Sequence, residues 1–172
     1  MAILDVFSSS GSKKRLNGRE DAAEADILNT LKKEHDAVKE LLGKLVKSEK
    51  ATERTSLVKQ IKAALVPHER AEEKVVYDAI IALKDKDAKI DGNEGYFEHK
   101  HGDMALKTLE AIKPASSPEF SAGAKVLKEL LEHHIQEEEN NVWRDVRKHF
   151  DDEMRMDMNL KFEAAKKKVR IP

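Results

Sequence analysis

The chain has 172 residues, 40% hydrophobic and 38% charged, and its 32 basic residues nearly balance 33 acidic ones. That length and apolar content suffice for one sizeable core, while the balanced charge and 5% aromatic content give neither bulk attraction to nucleic acid nor a stacking surface, so no nucleic-acid partner is expected. No apolar run reaches membrane-spanning length, and Met1 to Phe7 is too short for a secretory signal, so the expectation is a cytoplasmic protein without a membrane partner. Cysteine is absent, which removes disulfides, zinc–thiolate sites and iron–sulfur clusters and leaves imidazole and carboxylate as the strong ligands.

Residues 1–21, which include Ser8, Ser9, Ser10, Gly11 and Ser12, read as a flexible polar lead-in. A first helix is expected over about 22–47, where Leu28, Leu31, His35, Val38, Leu42 and Leu45 recur at helical spacing. A second, over about 52–84 with Thr52 as its cap, carries Ile61, Leu65, His68, Glu72, Val76, Ile80 and Leu83 on one stripe. Pro67 lies within it and is expected to kink it or free a carbonyl beside His68. Residues 85–95, with Asp91-Gly92, read as a polar loop, and a third helix follows to about 113. Ser117 caps a fourth helix with Pro118 at its first position, running to about 150 along Leu127, Leu131, His134, Glu138, Val142 and Val146. The bundle is therefore placed at 22–150. A last amphipathic segment, 151–172, carries Met154, Met158, Phe162, Ala165 and Val169 and is expected to cover the end of the bundle or to join two copies into a homo-oligomer. The fold class is all-α: an antiparallel four-helix bundle with an extra C-terminal helix.

Histidine and glutamate stand on these stripes where leucine is the natural residue. A buried carboxylate needs a compensating charge, and His and Glu converging from several stripes point to a metal ion. The halves also echo each other: His68 on His134 matches glutamates at offsets four and five, a valine at eight and an aromatic at nine, and His35 on His99 matches the preceding glutamate and three apolar positions. Folding the halves about a pseudo-two-fold brings His35, His68, Glu72, His99, His134 and Glu138 together. Six such ligands suit two ions, with both glutamates and an oxo or hydroxo group bridging and one position per ion open. Iron is favoured, manganese and zinc fit the same donors, and an open iron site binds dioxygen, peroxide or nitric oxide. His101 competes with His99, because Phe97, Met104, Ala105 and Ile112 form a second stripe on that helix; the repeat favours His99. Glu73 and Glu139 read as solvated or as nearby bases, His133 and His149 as bordering the bundle, Tyr77 and Trp143 as packing anchors, and Lys166 to Arg170 as a solvated basic end.

His35, His68-x-x-x-Glu72-Glu73, Glu98-His99 and His134-x-x-x-Glu138-Glu139 resemble the hemerythrin-like, or HHE cation-binding, domain over roughly residues 24–150. The resemblance implies an up-down-up-down four-helix bundle with a non-haem diiron centre. Two departures bear on function: the oxygen carriers of that family place His four residues after the third-helix His, where this chain has Asp103, and end in His-x-x-x-x-Asp, where it has Glu138 and Glu139. A carboxylate-bridged iron pair that binds or senses a small ligand is the expectation. An enzyme reducing peroxide or dioxygen, and a metal-independent helical interaction module, are the alternatives.

Overall fold

Asp26 opens the first helix, its carboxylate accepting from the Leu28 amide at 2.8 Å, in a computed structural model that describes residues 25–171. The lead-in expected at 1–21 lies outside the described residues. Helix α1 spans Ile27–Lys47. Helix α2 spans Ala51–Glu72, passes through a π-helical turn at Glu73–Tyr77 and ends as α-helix at Asp78–Ile81. Helix α3 spans Lys86–Ala111; α4 spans Pro118–Glu137, continues through a second π-turn at Glu138–Val142 and ends at Trp143–His149; α5 spans Asp152–Lys166. The described residues contain these five helical rods and no strand. Helix α1 packs on α2 and α4, and α3 on α2 and α4, which closes a four-helix ring, while α5 lies across α1 and α2. No helix among the described residues is long and apolar enough to cross a membrane.

Ser117 caps α4 by accepting from the Phe120 amide at 3.1 Å, with Pro118 in the first turn where its missing N–H is harmless. Thr52, expected to cap α2, instead lies in the first turn behind Lys50. Ser48 does local work there, donating from its hydroxyl to Glu53 at 2.8 Å. Buried Arg54 ties the loops at this end together through the carbonyls of Ser48 and Ala115 at 2.6 and 2.9 Å. Pro67 sits inside α2 without ending it, and the irregularity falls later, at the π-turn.

The expected loop at 85–95 is helix. Asp85 caps it by accepting from the Asp87 amide at 3.0 Å, so Asp91, Gly92 and Gly95 lie within α3. The glycines serve packing: a Cβ on Gly92 would stand 2.8 Å from Ile81, and one on Gly95 2.5 Å from the Tyr77 ring, which is fully buried. Gly95→Ala is therefore expected to lower stability by roughly 1–3 kcal/mol through overpacking. An unchanged melting temperature would contradict that reading.

The core is two apolar clusters. One gathers Leu31, Ala71, Val76, Tyr77, Val142 and Trp143 with Met158 and Phe162 of α5, and the other Val38, Leu42, Leu65, Leu106, Leu127 and Leu131. His35 falls between Leu31 and Val38, His68 between Leu65 and Ala71, and His134 between Leu131 and Val142, so a polar layer separates the two clusters.

A like-charged contact joins α3 to α4. Arg144 lies 3.3 Å from Asp91 and 3.5 Å from Asp145, and burial together with a hydrogen bond to Asp145 raises the Asp91 carboxyl to about 6. The native chain then holds a proton that the unfolded chain has already released, so stability falls as pH rises through the window ending near 6. Because the half-buried Asp91 carboxyl also meets the Arg144 guanidinium, the effect is held to about 1 kcal/mol. Melting curves of Asp91→Asn between pH 4 and 7 are expected to lose this slope, and a slope equal to wild type would contradict the pairing.

Candidate metal centre

Both π-turns begin at the glutamates of the site: one immediately follows Glu72 and the other starts with Glu138. A π-turn inserts a residue into the helical repeat and redirects the side chains around it, so Val76 with Tyr77, and Val142 with Trp143, face inward as adjacent pairs.

The polar layer assembles the six expected residues. Ligand atoms of His35, His68, Glu72 and Glu138 lie within 4.8 Å of one another, as do those of Glu72, His99 and His134. All six side chains are buried. Glu72 Oε2 is 3.3 Å from His68 Nε2 and 3.6 Å from His99 Nε2, while Glu138 Oε2 is 3.3 Å from His35 Nε2 and 3.6 Å from His134 Nε2. Each carboxylate thus stands between a histidine of one half and a histidine of the other. His101 lies outside this layer on the exposed face of α3.

Every inward-facing imidazole is held from behind by a glutamate. Nδ1 of His35 meets Glu139 at 3.1 Å, that of His68 meets Glu34 at 2.8 Å, that of His99 meets Glu73 at 3.1 Å, and that of His134 meets Glu98 at 2.8 Å. The scheme repeats under the pseudo-two-fold: the glutamate before each lone histidine holds the histidine of the neighbouring helix, and the glutamate after each buried carboxylate holds the lone one. With Nδ1–H donating outward, Nε2 presents its lone pair to the centre, the arrangement by which metal-binding imidazoles are oriented. Three of these glutamates are themselves neutralised: Glu34 by Lys166, Glu73 by Arg70, and Glu139 by Lys32 and Lys39 at 3.6 and 3.7 Å.

The electrostatics favour a cation. Burial, reinforced by the Glu138 charge, pushes the Glu72 carboxyl well above its ordinary range. Burial acts on Glu138 likewise, but the neighbouring Glu72, His35 and His134 side chains hold it well below. Adjacent buried carboxyls push their pKa values apart in this way, and a cation between them relieves the repulsion. Burial, then the neighbouring His134, keeps His99 neutral by lowering its pKa well below the ordinary value. Neither oxygen of Glu72 or Glu138, nor Nε2 of His35, has a hydrogen-bond partner. Buried polar atoms without partners, converging with imidazole nitrogens, fit a metal pair. His35, His68, Glu72 and Glu138 would hold one ion, and His99, His134 and Glu72 the other.

Five further side chains complete the description. The Tyr77 hydroxyl lies 3.3 Å from His99 Nε2, and burial raises its pKa well above the ordinary value, so it stays protonated. Trp143 stacks on His35, with centroids 5.7 Å apart, and Phe162 of α5 meets His68 edge-on at 5.8 Å. Asp103, four residues after His99, turns outward to pair with Arg70. Glu69 went unnoticed in the sequence although it is fully buried with both carboxylate oxygens unbonded; burial pushes its pKa well up. The repeat carried the signal, since its counterpart is Ile135.

His99→Ala is expected to reduce bound metal below that of wild type, whereas His101→Ala leaves it unchanged, as metal analysis of the two purified variants would show. The reverse result would rotate α3 away from the placement described.

Residues 26–146 match the family described as the hemerythrin HHE cation binding domain. The chain is also similar to a protein described as a DNA nickase from Nostoc sp., with 26% identity over 150 residues; the match covers 87% of this chain, which spans 42% of that relative's length. No solved structure matches the chain. The matched residues take in all four helices of the ring and all six residues of the polar layer, and the chain belongs to the hemerythrin HHE cation-binding domain family.

Proposed function

We propose that the chain is a non-haem diiron protein whose metal pair binds a small diatomic or peroxide ligand. The observation that supports this best is the paired architecture of the centre: four imidazoles, each backed by its own glutamate, around two buried carboxylates whose oxygens have no other partner. Such donors suit iron, and manganese or zinc to a lesser degree. An iron pair held there supplies a redox-active Lewis-acidic centre to a small ligand.

The chain's own residues define how that centre works. Glu34, Glu73, Glu98 and Glu139 fix the ring orientations and tautomers. Trp143, Phe162 and the two apolar clusters keep bulk water from the layer. Tyr77 offers a hydroxyl proton beside His99, and Arg70 with Asp103 links Glu73 toward the surface. Asp103 standing where oxygen carriers have histidine leaves fewer nitrogen donors, which favours ligand sensing or reduction over simple oxygen carriage.

Anaerobic absorption spectra of the ferrous protein, titrated separately with oxygen, hydrogen peroxide and nitric oxide, test this reading. Ligand-specific bands at two irons per chain support it, and identical spectra under all three exclude it. Continuous peroxide consumption would select the enzymatic form of the same reading.

A second reading follows from the Nostoc relative, because two metals held by carboxylates and imidazoles also suit phosphodiester cleavage. A metal-loaded sample leaves supercoiled plasmid intact under the first reading. Nicked circles that vanish with Glu72→Gln would select the second.

A further inference from the structure

The pseudo-two-fold that relates the two halves of the metal centre is broken beside it. Between α3 and α4 runs a crevice of about 10 Å³, the room of roughly one water molecule. Exposed Glu94 stands at its mouth; Asp91, Glu98, Glu137 and Asn141 line its walls, and His134, Glu138 and Tyr77 form its floor. It therefore leads from the surface to two residues of the centre. The crevice points to a ligand for a second reason: Glu138 on its floor is 2% exposed and neither carboxylate oxygen has a hydrogen-bond partner. Asp145, behind Asp91 and 3% exposed, likewise has an unbonded Oδ2.

The repeat gives the control. At the equivalent place between α1 and α2, Asp91 is replaced by Ile27, Glu94 by Thr30, Glu137 by Ala71, Asn141 by Val75 and Asp145 by Ala79. That side is sealed, since Ile27 and Ala71 share an apolar cluster with Met158 and Phe162 of α5 and Val75 and Ala79 pack against it. The cavity beside His68, lined by Glu34, Pro67 and Lys166, contains none of the six central residues. The fold thus does not require carboxylates here: one half excludes water and charge at this position, while the other lines a path with acids and keeps the like-charged Asp91 and Asp145 side by side at a cost in stability.

We propose that the α3–α4 crevice is the route by which divalent metal reaches the centre, with Glu94 and Asp91 capturing the hydrated ion and Glu98 and Glu137 passing it to Glu138 and His134. The proposal rests on the reading of the six buried residues as a metal centre. Carboxylates lining a narrow low-dielectric cleft concentrate cations at its mouth and accelerate association in a salt-dependent way.

The test is stopped-flow uptake of Co(II) by metal-free protein, followed by its visible absorption. Three proteins are compared: wild type, Asp91→Asn with Glu94→Gln, and a control of equal charge change, Glu153→Gln with Asp157→Asn on α5. The crevice variant is expected to load about tenfold more slowly, with a weaker dependence on ionic strength, and to reach the wild-type end point; the control loads like wild type. Equal rates and salt dependence in crevice variant and wild type overturn the route while leaving the centre intact. A crevice variant with a lower end point makes these residues part of the equilibrium site and overturns the route as well. Wild-type protein that takes up no Co(II) overturns the metal centre, and the proposal with it.

Discussion

Glu72→Leu is expected to lose metal binding at the centre and, at the same time, to raise the melting temperature of the metal-free protein. Glu72 is fully buried, its oxygens have no hydrogen-bond partner, and it stands beside a second buried carboxylate. A buried carboxyl without a hydrogen-bond partner carries an uncompensated desolvation cost, to which the Glu138 charge beside it adds, and an apolar side chain of similar volume removes both. The same substitution removes the carboxylate that both groups of ligands share. Opposite signs for metal content and metal-free stability separate a metal centre from a structural polar network, in which losing one member would destabilise. A metal-free Glu72→Leu protein that melts well below wild type would place Glu72 in such a network.

Stripping the metal with a chelator is expected to lower the wild-type melting temperature by roughly 10–20 °C. An ion bound at a hundredfold excess over its dissociation constant contributes about 2.7 kcal/mol of stability, so two contribute about 5 kcal/mol. For a chain of this length each kcal/mol corresponds to about 2–4 °C. The direction follows from the layer itself, where four imidazoles and two carboxylates are buried around one another. Superimposable melting curves with and without chelator, on protein shown to contain metal beforehand, would mean that the ions sit outside this layer.

The helices carrying the site were legible because their apolar stripes are long and only His and Glu interrupt them. His35, His68, His134, Glu72 and Glu138 each stand on a stripe whose neighbours are buried leucines, isoleucines and valines. The internal repeat then selected His99 over His101, a choice that the second apolar stripe of α3 alone would have obscured. The segment 85–95 misled because aspartate and glycine mark turns only in local sequence. Here Asp85 caps a helix, while Gly92 and Gly95 yield room to Ile80, Ile81 and Tyr77 of α2, a reason that lies across the interface. The π-turns left no trace in the stripes, since an inserted residue shifts the following apolar positions by only one. Glu34 and Glu98 were visible as matched residues preceding His35 and His99, but their partners belong to other helices, and only the assembled ring shows that each holds a histidine.

Asp103, four residues after His99, acquires a physical meaning in the same way. Its side chain joins Arg70 and Glu73 outside the polar layer and so forms a charged link between the surface and His99. The acidic crevice opens on the α3–α4 side of the centre, whereas α5 closes the α1–α2 side.

Metal analysis of protein produced with ample iron tests the central claim most directly. About two iron ions per chain are expected, both lost when Glu72 and Glu138 are replaced together. One tightly held zinc with no iron, or no metal at all, would contradict it.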